Sequence, residues 1–338
     1  MKSRLTRFVA LAVVATLLPS TAPAQSPVKT VTFDSPSVGR TMKYNIVLPA
    51  KYEQTTDRYP VLYLLHGYSG NYNNWGRMGV PRSAHLYDLI VVMPDGGNSW
   101  YVNWAKSEEG QKNNWEDAIV KDLVGHVDAT YRTIAKREGR AINGLSMGGY
   151  GGLMLGLKHP DMFCSIGSHS GALSYAKQVG DRLKNGQELS RPKNQPSTTP
   201  VPGIDIAGFS SQAERTPKGT PFATADDCAT YDPFQLVLKT PREKLPHIYL
   251  DCGTEDRLIE SQRAFVKLLT ENKIAFISGE SSGGHNSPYW TREVGNSMAV
   301  QYAVIQRNLA ATRTATGGQW DRSEPEASAT AMCGSGRR

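Results

Sequence analysis

Apolar residues along the chain gather in short runs that alternate with stretches of helical spacing. Residues 28–33 and 42–48 read as two antiparallel strands opening a sheet. Residues 59–65 and 89–93 are unbroken apolar runs, the pattern of strands covered on both faces. The first ends at His66-Gly67 and the second at Pro94-Asp95-Gly96-Gly97. Over 115–131, Ile119, Leu123, Val124 and Val127 share one helical face. Residues 140–145 form a short strand that turns at Ser146 into a helix reaching about Lys158, where His159-Pro160 stops it. Further strands are predicted over 163–168, 247–252 and 274–279, with helices over 259–272 and 290–309. Apolar strands alternating with helices predict one domain, a mostly parallel central sheet with helices on both faces.

Three segments stand outside this rhythm. At the start, Lys2, Arg4 and Arg7 precede an apolar run over 8–18, and Ala22-Pro23-Ala24 follows as a small-x-small cleavage pattern. This predicts a secretory signal peptide over 1–24 and a secreted or periplasmic protein, because the run is too short to serve as a membrane span. Residues 180–224 are rich in Pro, Ser, Thr and Gly and carry no long periodic element, so they read as an irregular excursion from a domain covering 25–311. Residues 312–338 read as a disordered tail.

Charge narrows the partners. The formal net charge is +7, and it falls to +4 without residues 1–24, which hold three cations and no acid. The remaining cations are scattered, with no basic stripe of the kind that tracks nucleic acid. Nothing after the leader predicts a membrane anchor. The four cysteines, Cys164, Cys228, Cys252 and Cys333, form no C-x-x-C pair, which argues against a zinc site. Cys164 and Cys252 lie in apolar runs and read as buried thiols. Cys228 and Cys333 lie in polar segments and are the candidates for a bridge, although four cysteines admit three pairings.

The chemistry concentrates at Gly144-Leu145-Ser146-Met147-Gly148, a G-x-S-x-G between a predicted strand and a predicted helix. A nucleophilic serine must stand on a tight strand-to-helix turn, and the glycines two before and two after leave room for it. The helix that starts there aims its positive end at the developing charge. Such a serine needs a base and an orienting carboxylate, in the chain order serine, acid, histidine. His285, in Ser282-Gly283-Gly284-His285-Asn286, follows the last strand and fits the base. His169 is the competitor and comes too early. His66 reads as a loop former, His159 as part of a helix stop, and His85, His126 and His247 as ordinary positions. Asp251 still lies inside its strand, and the local pattern divides the acid evenly between Glu255 and Asp256. Backbone N–H groups of Met147 and of Tyr68, in His66-Gly67-Tyr68-Ser69-Gly70, are the expected oxyanion donors. Trp75, Trp100, Tyr101, Tyr289 and Trp290 are candidate substrate contacts, against the competing expectation that such rings simply pack loops onto the sheet.

Five blocks together resemble the putative esterase, or esterase D, family: residues 64–70, 91–96, 144–150, 251–256 and 283–286. The resemblance covers about residues 30–309 and is closest to the tributyrin and feruloyl esterase branch. It implies an α/β-hydrolase fold, assigns the catalytic acid to Asp256, and supports Tyr68 and Met147 as oxyanion donors. It implies a serine carboxylic-ester hydrolase acting through an acyl-enzyme on short-chain acyl or feruloyl and acetyl esters, acylated carbohydrates included, with no cofactor and no metal. The alternative it carries is an acyltransferase of the antigen 85 type, moving the acyl group to a sugar hydroxyl. Asn286 departs from relatives that carry an aspartate directly after the histidine.

Overall fold

A computed structural model describes residues 27–187 and 216–315. The leader and most of the tail lie outside these residues, as do 188–215 of the excursion. Ten strands are seen among them: β1 (Val28–Ser35), β2 (Arg40–Val47), β3 (Val61–Leu65), β4 (Ile90–Pro94), β5 (Lys106–Ser107), β6 (Arg140–Gly144), β7 (Ser165–His169), β8 (Gly219–Thr220), β9 (His247–Gly253) and β10 (Phe276–Ser281). Eight of them make one sheet in the order β1-β2-β4-β3-β6-β7-β9-β10. β1 and β2 pair antiparallel, β2 meets β4 antiparallel, and every later pairing is parallel. The predicted sheet is therefore present, with its antiparallel opening.

The unbroken apolar runs have the cause read from the sequence. On β3, Val61, Tyr63 and Leu65 pack into the core on one face, while Leu62 and Leu64 enter the core on the other. On β4, Ile90 and Val92 divide from Val91 and Met93 in the same way. A strand buried on both sides has no polar face to alternate with. β10 is the edge strand and is mostly exposed. With little burial to mark it, its apolar start misled the sequence reading, and the strand begins two residues later than predicted.

Several helical features were not predicted. The helix read over 115–131 is interrupted by a π-helical segment, Ala118–Leu123, between Trp115–Asp117 and Val124–Thr130. Short helices occur at Asn74–Arg77, Val80–Ala84, Ala225–Ala229 and Pro233–Lys239. A helix, Tyr175–Lys184, runs into the supposed excursion over 180–224, and β8 within it forms a two-stranded ribbon with β5. The closing helix, Ser287–Ala315, starts earlier and ends later than expected.

Parallel strands deliver their carboxyl ends to one edge of the sheet, which is where α/β sheets bind ligands. The loops after β3, β6, β9 and β10 meet at that edge. They carry Tyr68, Ser146, Asp256 and His285.

Candidate active site

Ser146 stands between β6 and the helix Met147–Lys158 with φ 55° and ψ −116°, a conformation that L-residues rarely adopt. The surroundings hold it there. Its N–H donates to the His169 carbonyl at 2.9 Å, and its carbonyl accepts from Tyr150 and Ala172, each at 3.1 Å. The flanking glycines are a steric requirement. A Cβ on Gly144 would stand 2.3 Å from the Gly148 carbonyl oxygen, and one on Gly148 would stand 2.3 Å from that of Leu65. No relaxation of a flexible side chain relieves either clash, because the obstacle is backbone.

Strain is concentrated at this edge. Among the described residues, six that are not glycine have positive φ; one is Ser146 itself, and four lie in the loops of this edge: Ser69, Trp100, Tyr101 and Ser170. Left-handed backbone at such positions costs of order 1–3 kcal/mol each and persists where the surrounding structure over-determines it.

The Ser146 hydroxyl lies 2.9 Å from His285 Nε2. His285 Nδ1 lies 2.8 Å from Asp256 Oδ2. Three residues far apart in sequence thus form one line of hydrogen bonds. Asp256 is buried, and its other oxygen accepts the Leu258 N–H at 2.8 Å. Burial pushes the carboxyl pKa up, but the hydrogen bond from His285 and that from the Leu258 N–H outweigh it and hold it below the usual aspartate range. Trp290 sets its ring edge-on to the imidazole, 5.0 Å between centroids, and limits the positions the histidine can take.

The two neighbours that the local pattern left open are turned apart by the loop. The Glu255 carboxylate accepts the Gly283 N–H, while the Glu255 N–H donates to the Gly283 carbonyl at 3.1 Å. Glu255 therefore ties the acid loop to the histidine loop, and Asp256 faces the imidazole. Asn286 accepts the Tyr289 N–H through Oδ1 at 3.2 Å, so it caps the closing helix. Aspartate at this place would do the same, which accounts for the departure noted in the sequence.

The loop after β3 is pinned on both sides. The Gly96 N–H donates to His66 Nε2 at 2.8 Å, which leaves the ring proton on Nδ1 to donate to the Gly67 carbonyl at 2.7 Å. Asn98 Oδ1 accepts the Ser69 N–H at 2.7 Å. The backbone N–H groups of Tyr68 and Met147 have no acceptor among the described residues. Met147 opens the helix that follows Ser146, and Tyr68 lines the same cavity, so both N–H groups adjoin the serine in the chain or in space.

A cavity of about 350 Å³ opens over Ser146 and His285. Of the five aromatic residues singled out in the sequence, Trp100 and Trp290 line it. Trp75, Tyr101 and Tyr289 do not line it, contrary to the expectation that they would. Trp75 is buried with Nε1 donating to the Leu65 carbonyl at 3.0 Å. Tyr101 is fully buried against Gly96 and Gly151, its hydroxyl donating to the His66 carbonyl at 2.9 Å. Tyr289 donates to Asp251 at 3.2 Å. These three rings support the loops from behind. The sequence reading missed Tyr175, whose ring stacks on Trp100 at 3.4 Å, together with Met78 and Leu258. Short helices and loops with no motif carry them.

A second Asp–His–Ser array lies beneath the first. His169 Nδ1 is 2.7 Å from Asp251 Oδ2, off the line of a good hydrogen bond, and Nε2 is 2.8 Å from Ser297 Oγ. All three residues are buried. Ser297 lies within the closing helix and donates to the Val294 carbonyl at 3.0 Å.

The described cysteines Cys164, Cys228 and Cys252 are buried free thiols, and Cys333 lies outside the described residues. Burial pushes the thiols of Cys164 and Cys252 up to about 12. Among the described residues no cluster of His, Cys, Asp and Glu suits a metal ion, and no helix is long and apolar enough to cross a membrane.

Comparison with known proteins bears on the family and the fold. The family model described as putative esterase matches residues 35–297. An esterase of Mycobacterium tuberculosis H37Rv is 31% identical over 256 residues, covering 75% of this chain and 54% of that protein, so the chain spans about half the length of that curated relative. An acetyl esterase of Caldicellulosiruptor saccharolyticus is 29% identical over 239 residues, 70% of this chain and 81% of that one. The substrate-bound fluorophosphonate-binding serine hydrolase F of Staphylococcus aureus shares the fold, with a TM-score of 0.63, 22% identity, and coverage of 82% of this chain and 99% of that one. With the α/β-hydrolase fold in place and the family matched over most of its length, the chain belongs to the putative esterase family.

Proposed function

We propose that this protein is a serine carboxylic-ester hydrolase whose triad is Ser146, His285 and Asp256. The observation that carries the reading is the line of contacts from the Ser146 hydroxyl through His285 to Asp256, at 2.9 and 2.8 Å, opening on a cavity. His285 Nε2 takes the hydroxyl proton as Ser146 Oγ attacks the ester carbonyl. Asp256 keeps the imidazole proton on Nδ1 and stabilises the imidazolium. The N–H groups of Tyr68 and Met147 hold the tetrahedral oxyanion, in a site where donors fixed in advance stabilise charge without reorganising. The tetrahedral species collapses with transfer of the proton from His285 to the leaving alkoxide, which departs as alcohol. Water, deprotonated by the same histidine, then releases the acid and restores Ser146.

The substrates in this reading are short-chain acyl, acetyl or feruloyl esters, including acylated carbohydrates. The small cavity supports it, as do the Trp100–Tyr175 stack and the acetyl esterase among the relatives. The leader-like residues 1–24 support action outside the cytoplasm. The test is a panel of p-nitrophenyl esters, tributyrin, methyl ferulate and acetylated xylan, with a sugar acceptor added in parallel. Release of free acid is expected. Inert short aliphatic and feruloyl esters contradict the substrate assignment, and acylated sugar as main product replaces hydrolysis with transfer.

A further inference from the structure

Most side chains around the cavity over Ser146 are apolar or neutral, among them Met78, Trp100, Tyr175, Leu258 and Trp290. Arg257 is the one permanently charged side chain among the described residues that line it, and no acid lines it to balance that charge. The turn after β9 separates Arg257 from its neighbour. Asp256 is held inward by the Leu258 N–H and by His285, and its charge is engaged there. Arg257 emerges on the cavity side and is exposed.

Several guanidinium groups elsewhere in the molecule are in use. Arg140 binds Asp128, Arg263 binds Glu260 and Glu280, Arg292 binds Glu293, and Arg242 binds the carbonyls of Asn272 and Lys273. Arg257 makes no hydrogen bond, ion pair or ring contact among the described residues. An unspent guanidinium beside a nucleophile presents a planar fork that matches a carboxylate, and it sheds water more readily than an ammonium. Gln178, on the helix Tyr175–Lys184, brings a neutral amide to the same cavity.

We infer that the ester this site selects carries a carboxylate beyond the reacting carbonyl, and that Arg257 is the residue that recognises it. The inference rests on the esterase reading given above. The carboxylate has two possible sources: the acyl half, as in the half-ester of a dicarboxylic acid, or the alcohol half, as in an acylated uronic acid.

The experiment compares kcat/KM for two matched pairs. One is the mono-p-nitrophenyl ester of adipic acid against its terminal carboxamide. The other is acetylated glucuronic acid against acetylated glucuronamide. In one pair the wild-type protein is expected to favour the carboxylate by about tenfold, the size of one charge-assisted hydrogen-bonding pair at a partly wet site, and that pair identifies the source. Arg257→Gln is expected to abolish the preference, Arg257→Lys to keep part of it, and Arg257→Glu to reverse it. Raising the ionic strength is expected to shrink it. Equal kcat/KM within both pairs, or a preference that survives Arg257→Gln, overturns the inference and leaves the esterase reading standing. Failure to hydrolyse any of the four esters overturns the esterase reading and the inference with it.

Discussion

The molecule holds the same three side chains in two places. Asp256, His285 and Ser146 meet at the carboxyl edge of the sheet, and Asp251, His169 and Ser297 meet just beneath it. Distances hardly distinguish them, at 2.8 and 2.9 Å in one array and 2.7 and 2.8 Å in the other. Their settings do. Ser146 sits on strained backbone, faces a cavity and adjoins two unclaimed backbone N–H groups. Ser297 lies in a helix, is fully buried, and gives its proton to Val294. A nucleophile is made by access, an exposed turn and a place for the oxyanion, and not by triad distances alone. The lower array has a structural task. It joins β7, β9 and the closing helix, and the His169 carbonyl accepts the Ser146 N–H, so it fixes the floor on which the upper array stands.

The contrast breaks most sharply at the serines. Ser146→Ala is expected to lower kcat for p-nitrophenyl acetate by about 10⁴-fold or more, whereas Ser297→Ala keeps turnover within a few-fold; steady-state kinetics on both decides. At the acids, Asp256→Asn leaves a folded protein with kcat down by about 10⁴-fold, because the amide selects the wrong tautomer of His285. Asp251→Asn is expected to act on stability, by about 1–3 kcal/mol, and to leave turnover within a few-fold, since it disturbs the buried contacts of Asp251 with His169 and Tyr289; urea unfolding monitored by fluorescence reads this.

A third carboxylate–histidine pair sharpens the point. Buried Glu116 meets His159 at 2.6 Å and Lys158 at 2.7 Å, far from the cavity. Burial pushes its pKa up, and these two partners more than reverse that, down to about 2 from an ordinary 4.5. A depressed folded-state pKa stabilises the fold above the unfolded value and loses that contribution as pH falls through the folded one. Glu116→Gln is therefore expected to cost about 3 kcal/mol at pH 7, and the gap to wild type closes between about pH 4.5 and pH 2. The smallest expected effect is on the stability of Ser297→Ala, about 1–2 kcal/mol from a buried imidazole left one partner short.

What the chain disclosed in advance follows the same division. Ser146 was legible because its turn is local: five consecutive residues carry the whole steric requirement. His285 followed from chain order. The acid was not legible from the local pattern, because Glu255 and Asp256 are adjacent and differ only in which loop each faces. The inner strands were legible as runs buried on both faces, while the exposed edge of β10 and the two-residue β5 and β8 gave no pattern to read. Aromatic residues near the motifs suggested a substrate wall, yet Tyr101 fills the space left by Gly96 and Gly151, a fit visible only once distant segments are folded together. Tyr175 and Arg257 reach the cavity from elements without a signature.

Covalent labelling tests the central claim most directly. The protein is treated with an alkyl fluorophosphonate, digested and analysed by mass spectrometry. One phosphonyl group per chain is expected on the peptide containing Ser146, with fluoride released, and none on the peptide containing Ser297; Asp256→Asn is expected to slow the labelling strongly. Label on Ser297, or no label on Ser146 in folded protein that still turns over esters, contradicts the account.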